Sequence, residues 1–434
     1  MSKQIDQRVS MTMKCFLVCA AWLTPGLHGE AFSSPYSTKE TKQQHERLPT
    51  DDIWWTVNGP DMRWNFKNLH QLFPTVTVYR SGPVKKLKSN TNPEIAAFPV
   101  STPNGQLPFS EFIKSEFSTT MGVVILHKGQ IAFESYPRMK AHEKPISWSV
   151  AKSLVGTLVR ILEERGLVDV SKPIDSYLPD LKDTSLEGTP IRHLLDMASG
   201  LDCADDYENK ESCYHQYSVT IGDGFSSEPP SQDPYEFVSN LKAKRLSKSG
   251  ERLSYSGLNT FVLAWLVETI TDMPFHDTLT KEVWWHIGAE SDAAFIAPIK
   301  GIPVTHGGFL AKMRDLARFG LLFTPSQSTI VQTPIISEEH VEFLLSEGDP
   351  RLLKNAGLDY LIKSGVKHNI YQWDAVHANG SLYKGGWAGQ GLFINPNWDV
   401  VAVFTSYYKD DEHSEIPLTP VIMGLLNTVY GTQQ

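Results

Sequence analysis

Ser147-Trp148-Ser149-Val150-Ala151-Lys152-Ser153 opens the most strongly periodic stretch of this 434-residue chain. Beyond it Val150, Leu154, Leu158, Ile161 and Leu162 recur at helical spacing and Gly166 ends the run, which predicts a helix from Ser149 to Arg165. A Ser-x-x-Lys pair at the start of such a helix puts the lysine one turn below the serine, on the same face and within reach of its hydroxyl. The pattern by itself is weak, since five such pairs begin at Ser149, Ser239, Ser364, Ser381 and Ser406. Context separates them, because only Ser149 stands at the N-terminus of an apolar helix, where unpaired N–H groups and the helix dipole favour developing negative charge.

Outward from that helix the periodicity changes. Val123-Val124-Ile125-Leu126 and Ile131-Ala132-Phe133-Glu134 flank Lys128-Gly129-Gln130, a hairpin signature. Further helices are predicted over Ile191–Ala198, Tyr235–Leu246, Leu258–Thr271, Phe309–Phe323, Glu338–Leu345 and Thr419–Val429, with strands at Leu392–Ile394 and Val400–Thr405. Strands joined by tight turns at both ends of the chain, with helices gathered between, predict an α+β fold: an antiparallel β-sheet flanked by helices, with a mostly helical second subdomain. Residues 106–434 are assigned to this domain, 53–105 to an aromatic-bearing N-terminal lead-in, and 32–52, rich in Ser, Thr, Lys, Gln and Glu, to a flexible tether.

The first 31 residues carry Lys3, Arg8 and Lys14, an apolar run from Cys15 to Trp22, and a small-x-small site at Gly29-Glu30-Ala31, which reads as a signal peptide and predicts a secreted or periplasmic protein. A helix that spans a bilayer takes about 20 apolar residues, and this run is roughly half of that, so no stable membrane span is expected. Cleavage after Ala31 leaves Cys203 and Cys213, ten positions apart. In an oxidising compartment they are expected to form a disulfide, two free thiols being the alternative.

Composition excludes several classes of function. With 40 Lys and Arg against 49 Asp and Glu the net charge is −9, against the cationic surface that nucleic acid requires. No Gly-x-Ser-x-Gly, no Gly-Lys-Ser/Thr phosphate loop and no His-Glu-x-x-His occurs, and the 14 histidines form no recognisable ligand set, so neither a metal nor another cofactor is expected.

Four stretches then recur in a known order: Ser149-Val150-Ala151-Lys152; Thr189-Pro190-Ile191-Arg192-His193-Leu194-Leu195 with Ser199-Gly200-Leu201; Leu253-Ser254-Tyr255-Ser256; and Lys384-Gly385-Gly386. Together with Gly307-Gly308 and Arg314-Asp315-Leu316-Ala317-Arg318-Phe319-Gly320, they make the chain resemble the penicillin-recognising serine hydrolases of the class C β-lactamase and carboxylesterase type, nearest the branch of the 6-aminohexanoate-dimer hydrolases. The resemblance implies Ser149 as nucleophile of an acyl-enzyme, Lys152 as its base and Tyr255 as a proton carrier. It also implies the backbone N–H groups of Ser149 and Trp387 as an oxyanion hole, with Lys384, Gly385 and Gly386 on a strand that lines the site. The substrate would be a small ester, linear amide or peptide-like molecule.

Two departures bear on that substrate. Gly257 stands where the family's β-lactamases and transpeptidases carry the asparagine of Tyr-x-Asn, and Gly385 stands in the middle of Lys-Thr-Gly. Both weaken a β-lactamase or D,D-peptidase reading and suit esters or linear amides, and the intact Ser149, Lys152 and Tyr255 argue against a non-catalytic sensor. Retention of Lys384 predicts attraction for an anionic substrate group. Tyr214, in the loop from Asp202 to Tyr217, is expected to close over substrate, and His306 to lie at the rim. Lys152 is expected either to be partly neutral or to hold Tyr255 ionised by its own charge, and in either arrangement burial of the lysine and a cation beside the tyrosine bring the apparent titration of the coupled pair below the free values of about 10.

Overall fold

The computed structural model describes residues 37–47, 58–224, 226 and 228–431, so the signal-peptide reading lies outside the described residues. Thr38–Arg47 forms a helix where a tether is expected. Its Lys, Gln and Glu residues are all good helix formers, a local preference that a reading of polarity overlooks.

Seven strands build the main sheet: β1 Gly122–His127, β2 Gln130–Ser135, β3 Val366–Ile370, β4 Trp373–His377, β5 Leu382–Gly386, β6 Gln390–Asn395 and β7 Val400–Thr405. They run antiparallel in the order β2-β1-β7-β6-β5-β4-β3, and β7 joins the early hairpin to the late strands through Val400↔His127 and Thr405↔Gly122. Alternation of side chains splits the core in two. Val124, Leu126, Leu392, Ile394, Val401 and Val403 face one cluster, whereas Val123, Ile125, Phe393, Val400, Ala402 and Phe404 face the other. The first face is covered by α1 Ala151–Glu164 and by Met313–Leu321, the second by Leu418–Tyr430 through Ile422, Leu425 and Leu426. Helices on both faces explain why the central strands read as unbroken apolar runs.

The middle of the chain forms the helical subdomain, around α1, α2 Cys213–Ile221 and α3 Gly257–Thr271. Cys203 and Cys213 are joined by a disulfide. No described helix is long and apolar enough to cross a membrane.

Two helix predictions are corrected. Phe309–Leu310 is a strand paired with Ala294 and Phe295, and the helix begins only at Met313. Ser147 donates its N–H to the Phe309 carbonyl, so tertiary pairing next to the site claims those two residues. The helix expected over Tyr235–Leu246 covers only Pro234–Ser239, and Arg245 beyond it bridges Leu201. The lead-in is ordered by Gly59–Leu72, whose Phe66 and Leu69 are buried in the main core.

Candidate active site

The serine stands on a turn that its neighbours hold in place. Trp148 has φ +47°, a left-handed conformation unusual for a bulky residue, stored strain of the kind found at functional sites. Its ring is held by edge contacts, with centroids 5.5 Å from Phe66 and 5.7 Å from Trp387. On the other side Gly386 admits the turn: a Cβ there would lie 2.6 Å from the Ser147 carbonyl oxygen, so only glycine lets β5 approach this closely. A short 3₁₀ turn over Trp148–Val150 then leads into α1.

Lys152 is 1% exposed, and its Nζ donates to Ser149 Oγ at 3.0 Å and to the His306 carbonyl at 2.9 Å. Burial pulls it down from 10.5 to about 8; Lys384 adds to the effect and Asp205 opposes it. At mildly alkaline pH a large share is therefore neutral and able to accept a proton.

Tyr255 lines the same cleft as Ser149, and its hydroxyl accepts from Lys384 Nζ at 3.0 Å. Lys152 and Lys384 sit 4.8 and 4.7 Å from its ring centre. Of the two arrangements expected, the site favours the partly neutral lysine, because burial first, then the carboxylates of Asp374 and Asp205, hold the Tyr255 phenol well above 10.0. Tyr255 keeps its proton; of the two, only Lys152 titrates low.

Lys384 is fully buried on β5 and makes an ion pair with Asp374, one strand away on β4, whose second carboxylate oxygen accepts from the Gly385 N–H at 2.9 Å. The register that pairs Leu382 with Val376 and Tyr383 with Ala375 brings residues 384 and 374 opposite one another. The expected attraction of Lys384 for a substrate anion is corrected accordingly, since its charge is already matched. After β5, Trp387 lies in a turn in which Ala388 has φ +56°, and Gln390 Nε2 donates to the Trp387 carbonyl at 3.0 Å and to the Ser406 carbonyl at 2.8 Å.

These groups line one cleft of about 540 Å³, formed by Trp148, Ser149, Lys152, Asp205, Tyr207, Tyr255, His306, Gly307, Asp374, Tyr383, Gly385, Gly386 and Trp387. His306 is 2% exposed on its wall, not at the rim. Tyr214 is corrected too: it is wholly buried on α2, its hydroxyl 3.0 Å from that of Tyr207, and of the tyrosines in that segment it is Tyr207 that reaches the cleft. Behind them Asp223 accepts from Tyr207 and lies 3.0 Å from His306 Nε2, while Tyr217 OH is 3.3 Å from His306 Nδ1.

That aromatic packing explains Gly257. A Cβ at this position would lie 2.5 Å from Tyr214 OH and 2.8 Å from the His306 ring, so Tyr214 and His306 occupy the space next to it. Its N–H instead donates to Asp205 Oδ1 at 2.7 Å, a carboxylate placed at the N-terminus of α3 where the helix dipole favours it.

Asp205 and Asp374 escaped the sequence reading, which placed Tyr207 with Tyr214 and Tyr217 in the loop near the site entrance but singled out Tyr214. Asp374 carried a signal, since Asn379-Gly380 between Trp373-Asp374-Ala375-Val376 and Leu382-Tyr383-Lys384 is a hairpin mark that sets the two charges opposite one another. Asp205, in an irregular segment, carried none.

A serine half-buried in a cleft, with a buried lysine one turn below it at the start of a helix against an antiparallel sheet, is the arrangement of a hydrolase class, and the comparisons agree. The chain belongs to the Beta-lactamase family of hydrolases, whose model matches residues 110–422. It is 27% identical over 365 residues to the 6-aminohexanoate-dimer hydrolase of Paenarthrobacter ureafaciens, covering 84% of this chain and 89% of that protein. Among solved structures, a Bacillus anthracis protein assigned as a 6-aminohexanoate-dimer hydrolase superposes with a TM-score of 0.73 at 20% identity, over 89% of this chain and 97% of its own. EstCE1, a hydrolase with promiscuous acyltransferase activity, gives 0.54 at 16% identity over 72% of this chain and 94% of its own.

Proposed function

We propose that this protein is a serine hydrolase that cleaves small carboxylic esters or linear amides through an acyl-enzyme on Ser149. The observation that carries the reading is Lys152 Nζ at 3.0 Å from Ser149 Oγ, with burial holding that lysine near 8. Neutral Lys152 takes the Ser149 proton as Oγ attacks the substrate carbonyl. The N–H groups of Ser149 and Trp387 receive the oxyanion, a contact worth about 3 to 4 kcal/mol per donor. Collapse of the tetrahedral intermediate breaks the ester or amide bond, and the proton reaches the departing oxygen or nitrogen with the Tyr255 hydroxyl as relay. Lys384, locked by Asp374, holds that hydroxyl in place. Water then repeats the sequence on the acyl-enzyme and releases the acid.

Esters and linear amides are preferred to β-lactams because the space at Gly257 is taken by Tyr214 and His306. Secretion or export to the periplasm is part of the same proposal. It rests on the charged and apolar pattern of residues 1–31, and the Cys203–Cys213 disulfide supports an oxidising compartment. Hydrolysis of a panel of nitrophenyl esters, linear amides and a chromogenic β-lactam, by wild type and Ser149→Ala, tests the proposal. Ester or amide turnover that vanishes in the variant is expected; a β-lactam turned over faster than every ester would overturn the substrate reading.

A further inference from the structure

Among the described residues, Lys152 in the cleft lining and Lys384, fully buried behind it, are both engaged. Lys152 is held by Ser149 and the His306 carbonyl, and Lys384 by Tyr255 and Asp374. The carboxylates differ in this respect. The Asp374 side chain remains 31% exposed, although Lys384 beside it is completely buried, so the ion pair presents its negative end to the cleft. Asp205, the second acidic group of the lining, spends one oxygen on the Gly257 N–H. A substrate lying along β5 therefore meets a carboxylate where a free lysine would otherwise stand.

Resting on the reading of this cleft as an ester or amide hydrolase site, we infer that Asp374 is a specificity-determining residue that excludes substrates bearing a carboxylate near the scissile bond. Selection of this kind works by an unfavourable contact as much as by a favourable one: a second anion beside Asp374 is repelled, and the cation that could receive it is already neutralised. The pair also has a positioning role, because the Asp374 carboxylate ties Lys384 and the Gly385 N–H into one fixed geometry beneath the Tyr255 hydroxyl. Substrates of the enzyme are accordingly neutral or cationic around the reacting carbonyl.

The test uses the full chain and three esters: p-nitrophenyl butyrate, p-nitrophenyl hemisuccinate, which puts a carboxylate on the same four-carbon acyl chain, and 3-carboxy-4-nitrophenyl butyrate, which puts one on the leaving group. In wild type kcat/KM for at least one anionic ester falls about tenfold or more below the neutral ester, the scale of one unit charge acting across a partly hydrated cleft, and the deficit shrinks with added salt. In Asp374→Asn the anionic-to-neutral ratio for that ester rises about tenfold, the gain appearing in KM. Loss of positioning alone would lower all three rates and leave the ratios in place. Ratios unchanged within about twofold by Asp374→Asn, or a wild type that takes all three esters equally at every salt concentration, would overturn the inference while leaving the hydrolase reading intact. Absence of Ser149-dependent turnover of any of the three would remove the hydrolase reading and the inference together. The salt series in wild type needs no variant, so it can overturn the inference even if Asp374→Asn fails to fold.

Discussion

Lys384 Nζ stands 3.0 Å from the Tyr255 hydroxyl, and yet that phenol is held well above 10.0, because burial and two nearby carboxylates outweigh the cations beside it. On the proposed mechanism Tyr255 therefore works as a protonated relay and Lys152 as the group that titrates.

The pH dependence follows from that division. The proton-accepting form of Lys152 is the neutral one, which predominates above about 8. The acylation rate is expected to rise from acid to alkaline pH with an apparent pKa near 8, and Tyr255→Phe should lower the rate by about 10² to 10⁴ without moving that inflection. Stopped-flow acylation by a nitrophenyl ester across pH 5 to 10, in both proteins, checks it; an inflection lost in Tyr255→Phe would assign the titration to the tyrosine.

Replacing Lys152 separates activity from stability. Its folded value of about 8 lies below 10.5, so folding resists its charge; the cost is fully present below about pH 8 and fades as pH rises to 10.5. Lys152→Met should abolish acylation and still raise stability at pH 7, by about 1 to 3 kcal/mol after the lost hydrogen bonds are counted. Thermal unfolding at pH 7 and pH 10 reads this directly, with the gain smaller at the higher pH.

Gly257 tests whether the site has room for a family-like asparagine. Because a Cβ there meets Tyr214 OH at 2.5 Å and the His306 ring at 2.8 Å, Gly257→Ala is expected to cost about 1 to 3 kcal/mol. Gly257→Asn should cost more and confer no β-lactam turnover. A stable Gly257→Asn protein that gained it would show that the aromatic cluster gives way.

How far the sequence could be read depended on whether a segment's pattern came from the core or from the site. The hairpin of β1 and β2, the buried run of β7 and the helix after Ser149 were legible because apolar periodicity alone dictates them. Strands β3 and β4 were not, since His368 and Asp374 interrupt the apolar alternation for reasons that exist only once the strands are paired, and β5 was placed only through the resemblance that Lys384-Gly385-Gly386 carries. Ser149, Lys152 and Tyr255 were legible as motifs, and they do converge on one cleft. Tyr214 was misplaced by one turn of reasoning: the loop expected near Cys213 is the start of α2, which turns that tyrosine inward and leaves Tyr207 at the wall. The mate of Lys384 was marked only by the Asn379-Gly380 hairpin, and the acid at the head of α3 belongs to no contiguous pattern, so the acidic lining as a whole became visible only in three dimensions.

The central claim is that Ser149 is the nucleophile, and a covalent adduct tests it most directly. The full-length protein would be treated with a fluorophosphonate, digested and mapped by mass spectrometry, beside Ser149→Ala with an unchanged circular dichroism spectrum. One adduct per chain on the peptide carrying Ser149, absent from the variant and formed faster as pH rises through 8, is the predicted result. An adduct on another residue at the same rate in both proteins, or turnover of p-nitrophenyl butyrate that survives in Ser149→Ala, would contradict it.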